Sequence, residues 1–548
     1  VIRLYEEAKS LRQPHEADWR TAAAHCLPMH YASWQTDGPA NYNGMSTTRR
    51  ISYDTTGARS LEKYVSILER LATPAGQRWH TLTASDPALR SKRRVKAYFD
   101  ELTTVLFKYR NNPAAGFRIA TSETYGALGV YGNGPVFIGA RKPSMLHRAA
   151  GIKYVACSMR DVFFLTDDEG NVNVVFRRLF LNIRQFKTRF PGEDMPTMMK
   201  MEASKPTPNE RRYFEFVHYV SVRDEDTYDP SALDSRRHPI CGLYLCIESK
   251  EYVADEHGYQ SMPYKIPRVT TVSGDAYGYS PAVRALASLG GASTMKKTNL
   301  KQGNKAVDPV LLAHDDNVMN GEVDMRPGAV NYGGVNREGR ALIQALPSGN
   351  FQIGEILLQD ERKDTEDSFF VTLFEILENR PEMTATEVME HIANKAALLS
   401  PTMGRLQTEL LGPTIDREID VLAELGKLPE MPPELIEAEG EFETVYTSPM
   451  AKSLNAEGVS GFMRSVEMSL GIANATGDAS SLDHYDFDVA TPEIADIMAV
   501  PVRWMKDEKS IEKAREARAA QQQQQEMMKN AGGLASAAKT VTEMGAPE

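Results

Sequence analysis

The 548-residue sequence predicts an α+β protein, mainly helical with a β-rich part, and three observations carry that prediction. Apolar residues recur at three- or four-residue spacing near the N-terminus and again, most clearly, after Thr384. From Ile152 to Val269 the pattern changes to apolar alternation bounded by Asp, Gly and Pro clusters, which reads as strands and hairpins. Between these regions, Ser280 to Thr386 reads as two helices that go out and come back, with a compact loop-and-strand module at the far end.

In chain order, residues 1–34 are expected to be helical, with Leu4, Ala8 and Leu11 on one stripe, Trp19, Ala23 and Cys26 further on, and a break or restart at Pro14. A polar loop covers Thr36 to Arg50. Asp54, a capping or turn acid, opens a helix from about Ala58 to Leu71, whose apolar face is Ile67, Leu68 and Leu71. Further helices are expected at about Asp86–Tyr109 and Phe117–Tyr131, the second stopped by Gly132-Asn133-Gly134-Pro135. Asp161–Thr166 and Val172–Phe176 form a hairpin whose turn holds Asp167, Asp168 and Gly170, acids that suit a turn better than a metal. Ile183–Phe190 is a short helix, and Tyr213–Val220 with Cys241–Ile247 forms a second two-strand unit. His218 alternates with apolar neighbours and reads as a packed, hydrogen-bonded histidine. Cys241 and Cys246 are five apart, so a regular strand puts them on opposite faces; they read as buried thiols rather than a zinc half-site.

The outgoing helix of the central stretch is capped by Ser280 with Pro281 at its first position, and Asp308-Pro309 stops it. Lys297, Lys301 and Lys305 are four apart and form one basic stripe beside Lys296. The returning helix starts near Phe351 and is acidic: Glu355, Asp360, Glu361, Asp364, Glu366 and Asp367 face only Arg362 and Lys363. Opposite signs suit antiparallel pairing within a subunit or between neighbours. Thr384-Ala-Thr-Glu387 is a capping box opening a helix through Val388, Ile392, Leu399, Met403, Leu406 and Leu410. Pro401 inside it predicts a kink. Ile415–Leu425 is a further helix closed by Gly426, and Pro429, Pro432 and Pro433 form a stop. Residues 451–470 and 491–505 suggest short helices, and Lys506 to Asn530, with Gln521–Gln525, is an exposed or oligomeric helix or a tail.

Composition excludes several classes. The sequence is 42% hydrophobic and carries a net charge of −11, too acidic for a protein that grips nucleic acid over its whole surface. No apolar run approaches the ~18 residues that span a bilayer, and the acidic start Glu6-Glu7 does not read as a secretory signal. With only four cysteines, a reducing compartment is expected. There is no phosphate-binding Gly-x-x-x-x-Gly-Lys-Ser/Thr loop, no His-Glu-x-x-His pair and no Gly-x-Ser-x-Gly elbow. His314-Asp315-Asp316 with Asp324 is the one cluster that invites a metal; Met319 breaks the alternation of oxygen ligands, so neither metal nor cofactor is expected.

Four segments in collinear order resemble the portal, or head-to-tail connector, proteins of short-tailed phages (podoviruses): Asp54-Thr-Thr-Gly57 with Leu71-Ala-Thr-Pro74; Met159-Arg-Asp-Val-Phe-Phe-Leu165; Tyr277-Gly-Tyr-Ser-Pro281 through Asp308-Pro309; and Arg380-Pro-Glu-Met-Thr-Ala-Thr-Glu387 through Gly412-Pro413. The similarity spans roughly residues 10–450, and the C-terminal hundred residues match in composition alone. One departure is Gly290-Gly291, where a less interrupted helix is expected. The resemblance implies the portal fold: a helical wing over 1–150, a β-rich wing over 151–279, a two-helix stem at 280–308 and 351–376, an α/β clip at 309–350, a tunnel loop at 377–383, a long kinked helix returning into the wing over 384–450, and a C-terminal crown or barrel over 451–548. It also implies a dodecameric ring at one capsid vertex of the virion, assembled in the host cytoplasm. Double-stranded DNA would pass through it non-specifically during packaging and ejection. Its partners would be the terminase, the major capsid and scaffolding proteins and a tail adaptor, with no membrane. Lys296, Lys297, Lys301 and Lys305 are expected either to face the DNA channel or to pair with the neighbouring acidic limb, and Arg380, with Pro381, Glu382 and Met383 beside it in the tunnel loop, is expected to touch the DNA backbone. The competing readings are a tail adaptor and, as an enzyme, a metal-dependent phosphodiesterase using the His314 cluster.

Overall fold

The computed structural model describes residues 1–28, 52–143, 149–307, 311–313, 338–345, 351–371, 400–437 and 441–497, apart from a few positions within those spans, with scattered residues outside them. The chain divides into two compact units, Val1–Gln77 with Leu106–Leu428 and Arg78–Val105 with Pro429–Glu548. Helix and sheet are mixed, as expected.

The first unit is built on an antiparallel sheet. Strands β4 (Val162–Thr166), β5 (Val172–Leu181), β6 (Phe214–Val222), β7 (Ile240–Cys246) and β8 (Glu251–Tyr252) lie side by side, and β9 (His257–Tyr259) also pairs with β7. The two hairpins expected separately are therefore one six-stranded sheet, because β5 pairs with β6 along Val174–Leu181. Alternation along β6 sends Phe214 and Phe216 to one face, where they pack with Ile183, Phe186, Met199 and Cys246, and Val217 to the other, where it meets Tyr5, Ala8, Phe163 and Phe176. Short helices Ile183–Arg189 and Thr197–Ala203 cover the first face, and the N-terminal helix covers the second. All four cysteines are buried thiols. His218 is buried as expected, its Nδ1 2.6 Å from the Tyr264 hydroxyl and its ring stacked on Tyr244.

The N-terminal helix departs from expectation. Ile2–Cys26 is unbroken through Pro14. Its buried face is Tyr5, Ala8, Arg12 and Trp19, while Leu11 is 50% exposed. Arg12 replaces an apolar residue there because its guanidinium donates to the carbonyls of Met159, Arg160 and Val162 and pairs with Glu16. Helix Thr56–Ala72 and helix Phe117–Tyr131 form as predicted, the latter ended by Gly132 at φ +74°. A second sheet orders β10 (Tyr264–Lys265), β2 (Val136–Arg141) and β3 (Gly151–Ala156).

Pro401 lies in helix, and residues 391–399 before it, where a kink would show, are outside the described residues, as are Thr384–Glu387, Val388 and Ile392. A different irregularity is present. Gln407–Leu411 is a π-helical turn in which the Gly412 N–H donates to the Gln407 carbonyl, and it runs straight into helix Gly412–Glu424. Pro413 explains it: a proline has no N–H to give and its ring crowds the carbonyl four residues back, so the preceding turn widens. The two helices expected here are thus one continuous run, closed by Gly426 at φ +62°.

In the second unit, β1 (His80–Ala84) pairs antiparallel with β13 (Phe442–Tyr446), His80 opposite Tyr446. The Thr447 N–H donates to the Trp79 carbonyl at 2.8 Å, and Arg78 pairs with Asp100. Residues 451–470, expected as a short helix, lie inside a 28-residue one, Pro449–Thr476, followed by Phe487–Ile497. Most of the Gln-rich stretch is outside the described residues. No described helix is long and apolar enough to cross a membrane.

Candidate functional site

The paired helices of the central stretch start from a tightly fixed root. Ser280 is fully buried; its Oγ accepts from the Val283 N–H at 2.9 Å and donates to the Val130 carbonyl at 2.8 Å. Pro281 follows at the first helical position, as the sequence predicts. Just before the cap, the Gly278 N–H donates to Asn133 Oδ1, and Asn133 Nδ2 donates to the Tyr131 carbonyl. A Cβ on Gly132 would lie 2.3 Å from the Gly278 carbonyl oxygen, so only glycine fits. The Gly132-Asn133 stop and the Tyr277–Pro281 segment are thus two halves of one lock. The outgoing helix breaks briefly at Ala285, between Pro281–Arg284 and Leu286–Val307. It is not interrupted at Gly290-Gly291, where the sequence puts its straightness in question.

Helix Phe351–Ser368 returns against Leu286–Val307. The glycines show how closely: a Cβ on Gly291 would lie 3.1 Å from the Glu361 carboxyl, and one on Gly354 2.5 Å from Asn299 Oδ1. These contacts fix the register, with residue 291 opposite 361 and 299 opposite 354. Leu289, Ala292, Leu358 and Thr365 are buried between and beneath the helices. At the far end β11 (Leu311–Ala313) pairs antiparallel with β12 (Ile343–Ala345), the strand part of the module expected there. Residues 308–310 and 346–350 and most of 314–337 are outside the described residues, including His314, Asp315 and Asp316. The same holds for Arg380, Pro381, Glu382 and Met383.

The returning helix is tied down by an acid far away in sequence. Both Asp54 Oδ2 bonds come from Arg362, Nε at 3.0 Å and Nη2 at 2.6 Å, while Oδ1 accepts from the Thr56 N–H at 2.9 Å. Burial pushes the Asp54 carboxyl up, but the hydrogen bonds from Thr56 and Arg362 outweigh it, and the net shift is downward. The sequence marks Asp54 as a turn acid; its long-range partner was missed. The available signal was Arg362 itself, one of two cations in an acidic run.

The four lysines are placed together on one helix. Lys297, Lys301 and Lys305 are exposed and Lys296 is half-buried. None forms an ion pair among the described residues; Lys297 lies over the Tyr53 ring at 5.3 Å. The acids of the returning helix do not reach them within the subunit. A second fixed point lies further back: Arg110 makes a bidentate pair with Glu418, which also accepts from the Tyr154 hydroxyl, all buried. Among the described residues no group of His, Cys, Asp and Glu is arranged to hold a metal.

The geometry is that of a capped helix pair rooted in a mixed α/β unit, with Arg362 tied to Asp54 and the four lysines of the outgoing helix in no ion pair among the described residues. The chain belongs to the bacteriophage head to tail connecting proteins, whose family model matches residues 1–505. It is similar to a probable portal protein of Bordetella phage BPP-1, 24% identical over 542 residues that cover 95% of this chain and 91% of that one. It is likewise similar to the portal protein of Salmonella phage epsilon15, 24% identical, covering 99% of this chain and 95% of that one. The expectation of a portal, or head-to-tail connector, is met, and the protein is a structural connector rather than an enzyme.

Proposed function

We propose that copies of this chain form a closed ring at one vertex of a phage capsid, and that double-stranded DNA passes through its centre during packaging and ejection. Ser280–Val307 and Phe351–Ser368 are the stem, the β11–β12 hairpin belongs to the clip, the elements around the six-stranded sheet are the wing, and residues 451–548 form the crown or barrel. Arg380 with Pro381, Glu382 and Met383 is the tunnel loop. The ring belongs to the virion and is built in the host cytoplasm. It binds the capsid and scaffolding proteins at its wing, and the terminase and later a tail adaptor at its clip.

The observation that carries this reading is the unpaired basic stripe in an acidic protein. From the register 299 opposite 354, Lys301 stands level with about residue 352 and Lys305 one turn beyond it. At roughly 1.5 Å per residue, Glu355, the nearest acid of the returning helix, is roughly 4–5 Å from the level of Lys301 and roughly 10 Å from that of Lys305. Glu355 accepts instead from Gln359 on its own helix, and neither lysine forms an ion pair among the described residues, so Lys301 and Lys305 stay available to phosphate. A duplex carries one charge per ~1.7 Å, so a few cations repeated around a ring touch the DNA without holding it fast. Imaging of the purified protein tests the reading: rings with a central hole are expected, and a protein monomeric under all assembly conditions would overturn it.

A further inference from the structure

The stem helices carry an exposed apolar surface that their own pairing does not use. Leu300 is 50% exposed on the outgoing helix, and Ile353 and Ile356 are 56% and 63% exposed on the returning one. Their positions are not random. Gly291 and Asn299 mark the side of the outgoing helix that meets its partner, and at 3.6 residues per turn Leu300, Lys297 and Asn304 fall on the far side of it. On the returning helix, Gly354, Leu358, Glu361 and Thr365 mark the inner side. Ile356 lies roughly 170° away from them, with Asp360 and Ile353 roughly 40° and 60° to one side of it. One helix pair therefore presents two different outer edges, one bearing Leu300 and Lys297, the other Ile353, Ile356 and Asp360.

The two edges match in height. The register that sets 299 opposite 354 puts Leu300 level with residue 353 and Lys297 level with residue 356. Asp360 is four residues further on, roughly 6 Å along the axis, within reach of a lysine side chain. Apolar surface thus stands at the height of apolar surface, and a cation about one turn from an acid, without sliding one copy against the other. Two unlike, complementary edges on one subunit are the requirement for a head-to-tail contact that repeats around an axis.

We infer that the occupant of this surface is a second copy of the chain: Leu300 and Lys297 of one subunit pack against Ile353, Ile356 and Asp360 of the next. The inference rests on the ring reading and divides the lysines by role. Lys297 is taken up by the seam, whereas Lys301 and Lys305 are not.

Cysteine cross-linking in the full-length chain tests it. The four native cysteines are buried, so reactive thiols come from Leu300→Cys combined with Ile353→Cys, or with Ile356→Cys. Leu300 and Ile356 point away from each other within a subunit, so a short thiol-to-thiol reagent can join them only between copies. Rings that yield a ladder of covalent multimers with either double variant, and none with the single variants, are the expected result. Rings without a ladder from either pair would overturn the seam and leave the ring reading intact. A wild-type chain that forms no ring would overturn both. As a second arm, Lys297→Asp and Asp360→Lys should each weaken the ring to salt and the combined variant should restore it; a combined variant weaker than both singles counts against the pairing.

Discussion

Replacing Asp54 isolates what fixes the returning helix. In the wild type its carboxylate accepts two N–H bonds from Arg362, at 3.0 and 2.6 Å, and one from Thr56 at 2.9 Å. A hydrogen bond to a charged group contributes about 1.5–3 kcal/mol. The Asp54 side chain is 5% exposed, but that of Arg362 is 26% exposed, so water recovers part of the arginine's loss. Asp54→Ala is therefore expected to cost about 3 kcal/mol, and Asp54→Asn, which keeps an acceptor for Thr56, about half of that. Hydrogen exchange reads this locally: about 3 kcal/mol corresponds to roughly 100-fold faster exchange in Phe351–Ser368. Exchange in Phe117–Tyr131 should change far less. The sign of the pH effect follows from the depressed pKa. Because the folded carboxyl titrates below its ordinary value of 3.8, the stabilisation is complete above that value and is lost as pH falls through the folded pKa. Asp54→Asn should erase this acid sensitivity. Equal protection of both helices in wild type and Asp54→Ala would refute the account.

Three other outcomes follow from the same structure. A methyl group added at Gly290 would meet nothing within 4 Å, so Gly290→Ala should stabilise the helix by about 0.5–1 kcal/mol, whereas Gly354→Ala meets buried Asn299 at 2.5 Å and should cost about 1–3 kcal/mol; urea midpoints that move the same way for both would be inconsistent. Glu418→Leu strands the buried Arg110 and should cost about 3–5 kcal/mol, and adding Arg110→Met should recover most of it, measured as a double-mutant cycle in denaturant. Lys301→Gln with Lys305→Gln should flatten the salt dependence of DNA binding to assembled rings by losing phosphate contacts; an unchanged slope would place both lysines away from the channel.

Local chemistry made a large part of this protein legible from its sequence. Phe117–Tyr131 ends at Gly132, Ile183–Arg189 and the Asp167–Asn171 turn fall where expected, and Ser280-Pro281 opens the outgoing helix, because caps, turns and helical periodicity act over a few residues. The basic stripe was visible for the same reason. Tertiary structure decided what lies between distant residues: that Asp54 holds Arg362, that Arg110 and Tyr154 share Glu418, that β1 pairs with β13, and that two hairpins join as one sheet. It also decided that Arg12 rather than Leu11 faces inward, and that the register of the two helices sets residue 299 opposite 354. A residue's sequence neighbours fix its backbone preference, but its partners are set by register and packing, and neither of those is a local property of the chain.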